Sequence, residues 1–190
     1  MIYKFLTYIF LLCLLFNFID ADDIATAPDI HIPIFLKVIT FDKKYSEKTK
    51  DGIVLHLIYQ KNNKSSLVIK NDVVNYFNEN NLTNFEGKNV FIKEFCFDNI
   101  KEIEKYIHSN NVQFAYLSSI KSISVKEIND LFIDNGILSF SASNAYSEEG
   151  TIVTCWNRGG KPLIVINLKA AKRTNIEFSS QLLKISKILE

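Results

Sequence analysis

Three short polar segments carry side chains that could bind a small molecule. They contain Gln60, Lys61 and Asn62, then Ser118 and Ser119, then Ser141, Ser143 and Asn144, and each segment follows a predicted strand. Ligands of open α/β sheets bind beyond the carboxyl ends of the strands, where the loops from neighbouring strands meet. The sequence therefore predicts a cleft for a small polar molecule. Ordinary loops and helix caps use the same residue types, so both interpretations stay open.

Cys96 and Cys155 are the two cysteines outside the apolar N-terminal run. Paired thiols oxidise in exported proteins, but a bridge needs Cα atoms within about 7 Å of each other. Cysteine is also among the most buried residue types, so one disulfide and two free thiols both stay open. No histidine lies near either cysteine at the spacing of metal ligands, and we expect no metal site.

Trp156 and Arg158 flank the turn of a predicted hairpin. Gly159 and Gly160 suit that turn, because glycine accepts the positive φ of tight hairpin loops. Tryptophan and arginine are enriched at interface hot spots, so an exposed hairpin tip would suit a protein contact. The alternative is that Trp156 points into the core while Arg158 is solvated.

Residue patterns typical of catalysis are missing from the sequence. There is no Gly-x-Ser-x-Gly elbow for a hydrolase nucleophile, and the glycine pair does not match a phosphate-binding loop. The three histidines, His31, His56 and His108, are scattered along the chain. We therefore expect a protein that is not an enzyme and that uses no cofactor.

Strand and helix patterns alternate along the chain, which favours parallel strands joined by crossovers. The predicted strands cover 53–59, 90–95, 114–117 and 137–140, and the predicted helices cover 30–41, 71–80, 99–109 and 124–135. A hairpin follows, with its return strand at 162–168, and then two helical pieces at 168–173 and 179–189. The sequence predicts a single three-layer α/β domain with a mostly parallel sheet and a C-terminal antiparallel hairpin.

Local signals fix several predicted helix ends. Asp29, Ser124 and Ser179 are the predicted N-caps, because their side-chain oxygens can accept an orphan backbone N–H. Asn175 tolerates the left-handed conformation that stops a helix.

Residues 1–21 have the composition of a secretory signal peptide. Lys4 precedes an apolar run over 5–19, and Ala21 is a small residue at the cleavage position. An uncleaved anchor is the alternative, although the run is short for a span of ~20 residues. Residues 22–190 suit one domain. The net charge of +1 gives no field that would attract nucleic acid.

Residues 150–189 carry a set of short motifs. They are Gly150-Thr151-Ile152, Ile166-Asn167-Leu168 with Ala170, Ala171 and Arg173, and Ser179-Ser180 with Leu182-Leu183. This set resembles the YfiR/HmsC-like family. Members of that family are secreted periplasmic proteins, and the best-known ones restrain a membrane-bound diguanylate cyclase.

The resemblance implies a non-enzymatic periplasmic regulator that takes part in cyclic-di-GMP signalling. It would act as a homodimer and hold the periplasmic domain of a membrane-bound signalling protein. Relatives can carry two disulfides, whereas this chain can form only the one between Cys96 and Cys155. The polar strand ends favour a second function, a periplasmic small-solute-binding module of a transporter or sensor kinase.

Overall fold

The computed structural model describes residues 26–158 and 160–190. The predicted signal peptide, residues 1–21, lies outside the described residues. Within the described part, no helix is both long enough and apolar enough to cross a membrane.

The described residues form one eight-stranded sheet, with the order β2-β3-β1-β4-β5-β6-β7-β8. Its strands are β1 (Ile53–Gln60), β2 (Asn84–Phe85), β3 (Lys88–Phe97), β4 (Phe114–Leu117), β5 (Leu138–Ser141), β6 (Val153–Arg158), β7 (Lys161–Asn167) and β8 (Lys187–Leu189). Strands β3, β1, β4, β5 and β6 are parallel to one another, and β6 and β7 form an antiparallel hairpin. The predicted mostly parallel sheet and its C-terminal hairpin are confirmed.

Helices cover both faces of this sheet. They are α1 (Pro28–Ile39), α2 (Tyr45–Lys48), α3 (Lys64–Glu79), α4 (Ile100–Asn110), α5 (Val125–Asp134), α6 (Leu168–Arg173) and α7 (Ser180–Ile185). One core contains Phe35 of α1 and Val73 of α3 with Leu57 of β1. The other contains Ile103 of α4 and Ile58 of β1. Successive strand residues point to opposite faces, so β1 supplies both cores and the three-layer prediction is confirmed.

The predicted caps are mostly found in place. The side chain of Ser124 accepts a hydrogen bond from the Glu127 amide, that of Ser179 accepts one from the Leu182 amide, and Asn175 has a φ of 58°. Asp29 is not an N-cap. Helix α1 begins with Pro28 at its first position, so Asp29 lies inside the first turn, and the capping residue is Ala27 without a side-chain bond.

Two predicted helix boundaries are wrong. Helix α3 begins at Lys64 and not near residue 71, because Asn63 caps it by accepting a hydrogen bond from the Ser66 amide. The last helix ends at Ile185 and does not continue to Leu189. Residues 187–189 form β8, which pairs in parallel with β7, and Ile185 is 64% exposed.

Candidate functional site

A cavity of about 560 Å³ lies between α3 and the carboxyl ends of β4 and β5. This is the edge of the sheet at which the sequence predicted a cleft. Helix α3 contributes one wall, and the segments after β4 and β5 contribute the others. The lining residues are Lys64, Ser65, Val68, Ile69, Asp72, Tyr116, Leu117, Ser118, Ser119, Ile120, Lys121, Ser141, Ala142, Ser143, Ala145 and Tyr146. We call this space the strand-end cavity.

The structure brings only part of the predicted cleft to this cavity. Ser118, Ser119, Ser141 and Ser143 line it, whereas Gln60, Lys61, Asn62 and Asn144 do not. Lys61 and Asn62 are exposed in the turn after β1. A backbone φ of 58° at Asn62 fits the turn chemistry that was the alternative interpretation for this segment.

Gln60 is a buried residue that holds the loop after β4. Its side-chain oxygen accepts a hydrogen bond from the Lys121 amide at 2.9 Å, and its side-chain nitrogen donates to Ser122. Asn63 adds a second link, because its amide nitrogen donates to the carbonyl of Ser119 at 3.0 Å. These two side chains therefore fix the cavity wall without lining it.

The cavity serines also make structural hydrogen bonds. The Ser118 hydroxyl donates to the carbonyl of Ser66 at 2.9 Å, and the Ser141 hydroxyl donates to the carbonyl of Leu117 at 2.9 Å. The first bond ties β4 to α3, and the second ties β5 to β4. Both hydroxyl protons are occupied, so these serines shape the cavity.

Tyr116 is a cavity residue that the sequence did not single out. Its side chain is fully buried, and its hydroxyl has no hydrogen-bond partner among the described residues. Burial raises the pKa of this phenol, while the nearby backbone amide of Ala142 lowers it. No group in the described part of the chain accepts the phenol proton. Because Tyr116 lies in a short apolar strand, the sequence pattern indicated only a core residue.

The tip of the β6-β7 hairpin extends beyond its neighbours. Strand β5 pairs with β6 only at Val153 and Thr154, and β8 pairs with β7 only from Val165 onward. Trp156 is half-buried, its indole N–H donates to the Thr154 hydroxyl at 3.0 Å, and the Lys187 ammonium lies 4.1 Å from its ring centroid. Arg158 is exposed. The structure thus presents Arg158 at the tip and holds the Trp156 ring in a fixed orientation.

Cys96 and Cys155 are free thiols. Cys96 is exposed on β3 and Cys155 is buried on β6, with β1, β4 and β5 between them. Four inter-strand spacings amount to roughly 19 Å, well beyond the reach of a disulfide. The bridge that the sequence left open therefore does not form within one chain. Burial raises the pKa of the Cys155 thiol to about 11.

The buried histidines lie on opposite faces of the sheet. His31 stacks on Tyr116, whereas His56 contacts the Tyr106 hydroxyl of α4 at 2.8 Å. Burial lowers the pKa of each imidazole to about 4. In residues 26–158 and 160–190, no cluster of three or more His, Cys, Asp or Glu side chains could hold a metal ion.

The family model described as YfiR/HmsC-like matches residues 48–187, and the chain belongs to this family. The match extends well beyond residues 150–189, which carried the resemblance in the sequence. Membership supports a regulatory role in the periplasm. A comparison with curated proteins finds no match.

Solved structures share this fold at low sequence identity. The ligand-free, open structure of CD0873, a substrate binding protein with adhesive properties from Clostridium difficile, has a TM-score of 0.55 and 11% identity, covering 78% of this chain and 58% of that chain. The ABC domain in complex with L-Trp from Streptococcus pneumonia has a TM-score of 0.56 and 12% identity, covering 81% and 61%. A conserved domain protein from Vibrio cholerae has a TM-score of 0.60 and 10% identity, covering 88% and 61%. The chain thus spans about three-fifths of each of these structures.

Proposed function

We propose that the protein is a non-enzymatic periplasmic regulator that binds and restrains a membrane-bound signalling protein. The observation that carries this proposal is the family match over residues 48–187. The proposed partner is the periplasmic domain of a diguanylate cyclase, so the output is the cyclic-di-GMP level. A regulator of this kind works by binding one state of its partner more tightly than the other. A hundredfold difference in affinity corresponds to about 2.7 kcal/mol.

The hairpin tip is the proposed contact surface. Residues 155–158 pair with residues 161–164, and neither segment pairs with another strand in the described part of the chain. The tip carries exposed Arg158 and Lys161, and the Trp156 ring beside it is already held by Thr154 and Lys187. An anchored aromatic ring next to an arginine loses little conformational entropy on binding, which favours a hot spot.

Deleting the gene tests the regulatory role directly. We expect the cyclic-di-GMP level to rise, and we expect the tagged protein to co-purify a membrane signalling protein from detergent extracts. Arg158→Ala and Trp156→Ala should weaken that co-purification. Arg173→Ala is the matched control, because Arg173 is an exposed arginine that bonds Asp130 on another element. An unchanged cyclic-di-GMP level with no captured partner would contradict the proposal.

The proposal includes export and a homodimer. Cleavage of the predicted signal peptide after Ala21 would leave a chain that begins at Asp22, so the intact mass of protein from the periplasmic fraction should be that of residues 22–190. Light scattering behind a sizing column measures the mass of the purified mature chain in solution. A cytoplasmic full-length chain would contradict export, and a monomer at micromolar concentration would contradict the dimer.

A second candidate function is a periplasmic solute-binding module of a transporter or sensor kinase. The strand-end cavity supports it, as does the fold shared with a substrate binding protein. A ligand that binds only the folded state raises the melting temperature by mass action. A thermal-shift screen with amino acids, organic acids, sugars and inorganic anions tests this function, and a flat result across the whole screen would remove it.

A further inference from the structure

We propose that the strand-end cavity binds a small organic carboxylate with an apolar body. The inference rests on the second candidate function, solute binding, and names the chemical class of the solute. It is independent of which membrane protein the chain contacts.

The first argument is the Tyr116 hydroxyl. A fully buried hydroxyl without a partner destabilises a fold, and such groups in native proteins call for a specific explanation. Tyr116 is one of the residues that line the cavity, and its buried hydroxyl has no hydrogen-bond partner among the described residues. The hydroxyl therefore has a proton to donate. A carboxylate oxygen in the cavity would supply the missing acceptor.

The second argument is the charge of the walls. Lys64 lies at the first position of the 16-residue helix α3, where the helix dipole favours an anion. Lys121 lies on the wall formed by the loop after β4. Neither lysine forms an ion pair in the described part of the chain. Asp72 is the single acidic residue of the lining, so cationic groups outnumber anionic ones.

The third argument is the apolar remainder of the lining. Val68, Ile69, Ile120, Ala142 and Ala145 leave hydrocarbon facing the cavity, and Val68 is 48% exposed. A volume of about 560 Å³ lies within the usual range for small-molecule sites. A polyhydroxylated solute would place hydroxyls against these apolar walls without hydrogen-bond partners, which is unfavourable. A carboxylate attached to a short hydrocarbon body fits both the cationic and the apolar parts of the lining.

Titration calorimetry on the mature chain, residues 22–190, tests the proposal with a matched set of probes. The set is leucine, its 2-oxo acid 4-methyl-2-oxopentanoate, and its decarboxylated amine 3-methylbutylamine. We expect at least one of the two carboxylates to bind and the amine not to bind. If leucine binds more tightly than the oxo acid, its ammonium group uses Asp72, and Asp72→Asn should abolish that difference. Equal binding of the amine would overturn the proposal.

Tyr116→Phe removes only the hydroxyl and should weaken carboxylate binding about tenfold or more, because a hydrogen bond to a charged group is lost. Tyr106→Phe is the control, since its hydroxyl bonds His56 on the other face of the sheet, and it should leave the affinity unchanged. Lys64 and Lys121 are exposed, so Lys64→Gln and Lys121→Gln should leave the core intact. Each substitution should also weaken carboxylate binding. Wild-type affinity in Tyr116→Phe and in both lysine variants would overturn the proposal.

The same Tyr116→Phe protein separates a ligand role from a structural one. Without ligand, its melting temperature should equal or exceed that of the wild type, because an unpartnered buried hydroxyl has been removed. A lower melting temperature would show that the hydroxyl is already bonded in the fold, and it would overturn the argument. In the wider thermal-shift screen, binding of sugars alone would contradict the proposal of a carboxylate ligand but would support solute binding. No binding by any solute would contradict both proposals.

Discussion

The ring of His31 stacks on the ring of Tyr116, with centroids 5.4 Å apart and an angle of 26° between the ring planes. Nδ1 of His31 lies 2.6 Å from the carbonyl oxygen of Thr26. A carbonyl can only accept, so Nδ1 carries the proton. Nε2 is then an unprotonated nitrogen, and it has no partner among the described residues. Helix α1 thus places a neutral imidazole against Tyr116, one of the residues that line the strand-end cavity.

Stability should fall as the pH drops through the range 6.5 to 4. Burial lowers the pKa of His31 from 6.5 to about 4 in the folded state, so the unfolded chain takes up the proton first. We expect the free energy of unfolding to fall by about 2 kcal/mol between pH 7 and pH 5 through this residue. Urea unfolding at several pH values measures the fall.

His31→Gln should flatten that pH dependence, whereas His108→Gln at an exposed position should not. Burial also lowers the pKa of His56 to about 4. The contribution of His56 to the pH dependence of stability has the same sign as that of His31, and it remains in both His31→Gln and His108→Gln. An identical pH dependence in wild type and His31→Gln would contradict the assignment.

The ion pair between Asp42 and Lys48 should stabilise the fold. The two charged atoms are 2.8 Å apart, and the side chains are 0% and 9% exposed. Asp42 also accepts a hydrogen bond from the Lys44 amide at 3.0 Å. Asp42→Ala leaves Lys48 unpaired in a buried position, and we expect a loss of about 3 kcal/mol in chemical denaturation.

Glu177→Gln is the control for that loss. Glu177 pairs with Lys43 at 2.7 Å, but both side chains are more than half exposed. Solvent screens such a pair, so no measurable change in stability is expected. Equal effects of the two substitutions would show that burial does not decide the strength of these pairs.

Gly150→Ala should destabilise the domain more than Gly87→Ala. Both glycines have positive φ, 102° at Gly150 and 78° at Gly87. A Cβ added at Gly150 would lie 3.2 Å from the Cβ of Asn129, whereas one at Gly87 would meet nothing within 4 Å. Backbone strain of about 1–3 kcal/mol applies to each, and only Gly150→Ala adds a clash with a buried residue.

Thermal melts of the two glycine variants give the comparison. Asn129 donates hydrogen bonds to the Thr151 hydroxyl at 3.0 Å and to the Glu149 carbonyl at 3.1 Å. It therefore has little freedom to move away from the added methyl group. Equal melting temperatures for the two variants would contradict the expected clash.

The thiols should react at very different rates. Cys96 is exposed, whereas Cys155 is buried and has its pKa raised to about 11 by burial, so little reactive thiolate forms there. Maleimide labelling of native protein that comprises residues 22–190 should add one label, located at Cys96 by peptide mass spectrometry. Denatured protein should add two. No labelling before reduction, in protein that runs as a monomer on a non-reducing gel, would indicate an intramolecular disulfide and contradict this sheet order.

The fold was predictable wherever hydrophobic periodicity and capping chemistry agreed. Strand 114–117 has the predicted bounds, because four consecutive buried residues are typical of a central parallel strand. Helix 168–173 also has the predicted bounds, with Lys172 and Arg173 in its last turn. In both segments the local signal and the tertiary contacts favour the same structure.

The prediction failed where long-range pairing decides the structure. Residues 187–189 continue the helical spacing of Leu182 and Ile185, yet hydrogen bonds to β7 hold them as a strand. The site was harder to predict still, because Tyr116 is indistinguishable from a core residue in sequence. Tyr116 matters because its hydroxyl lacks a hydrogen-bond partner, and the sequence does not show which hydroxyls are partnered.

The family motifs identify scaffold positions. The Asn167 side chain accepts a hydrogen bond from the Ala170 amide at 2.8 Å and donates one to the Ser147 carbonyl at 2.8 Å. Gly150 lies against Asn129. Asn167 therefore joins β7 to α6 and to the loop after β5, and Gly150 lies against α5. They predicted the family correctly, but they do not lie at the strand-end cavity or at the hairpin tip.

The hydroxyl of Thr26 donates to the carbonyl of Cys155 at 2.7 Å, across 129 positions of the chain. This bond fixes the start of α1 against β6, so the earliest described helix docks on one of the last strands to be synthesised. Contacts between such distant segments slow folding, because a long loop must close before they form. During synthesis, the first half of the domain is therefore unable to complete its core until β6 has been added.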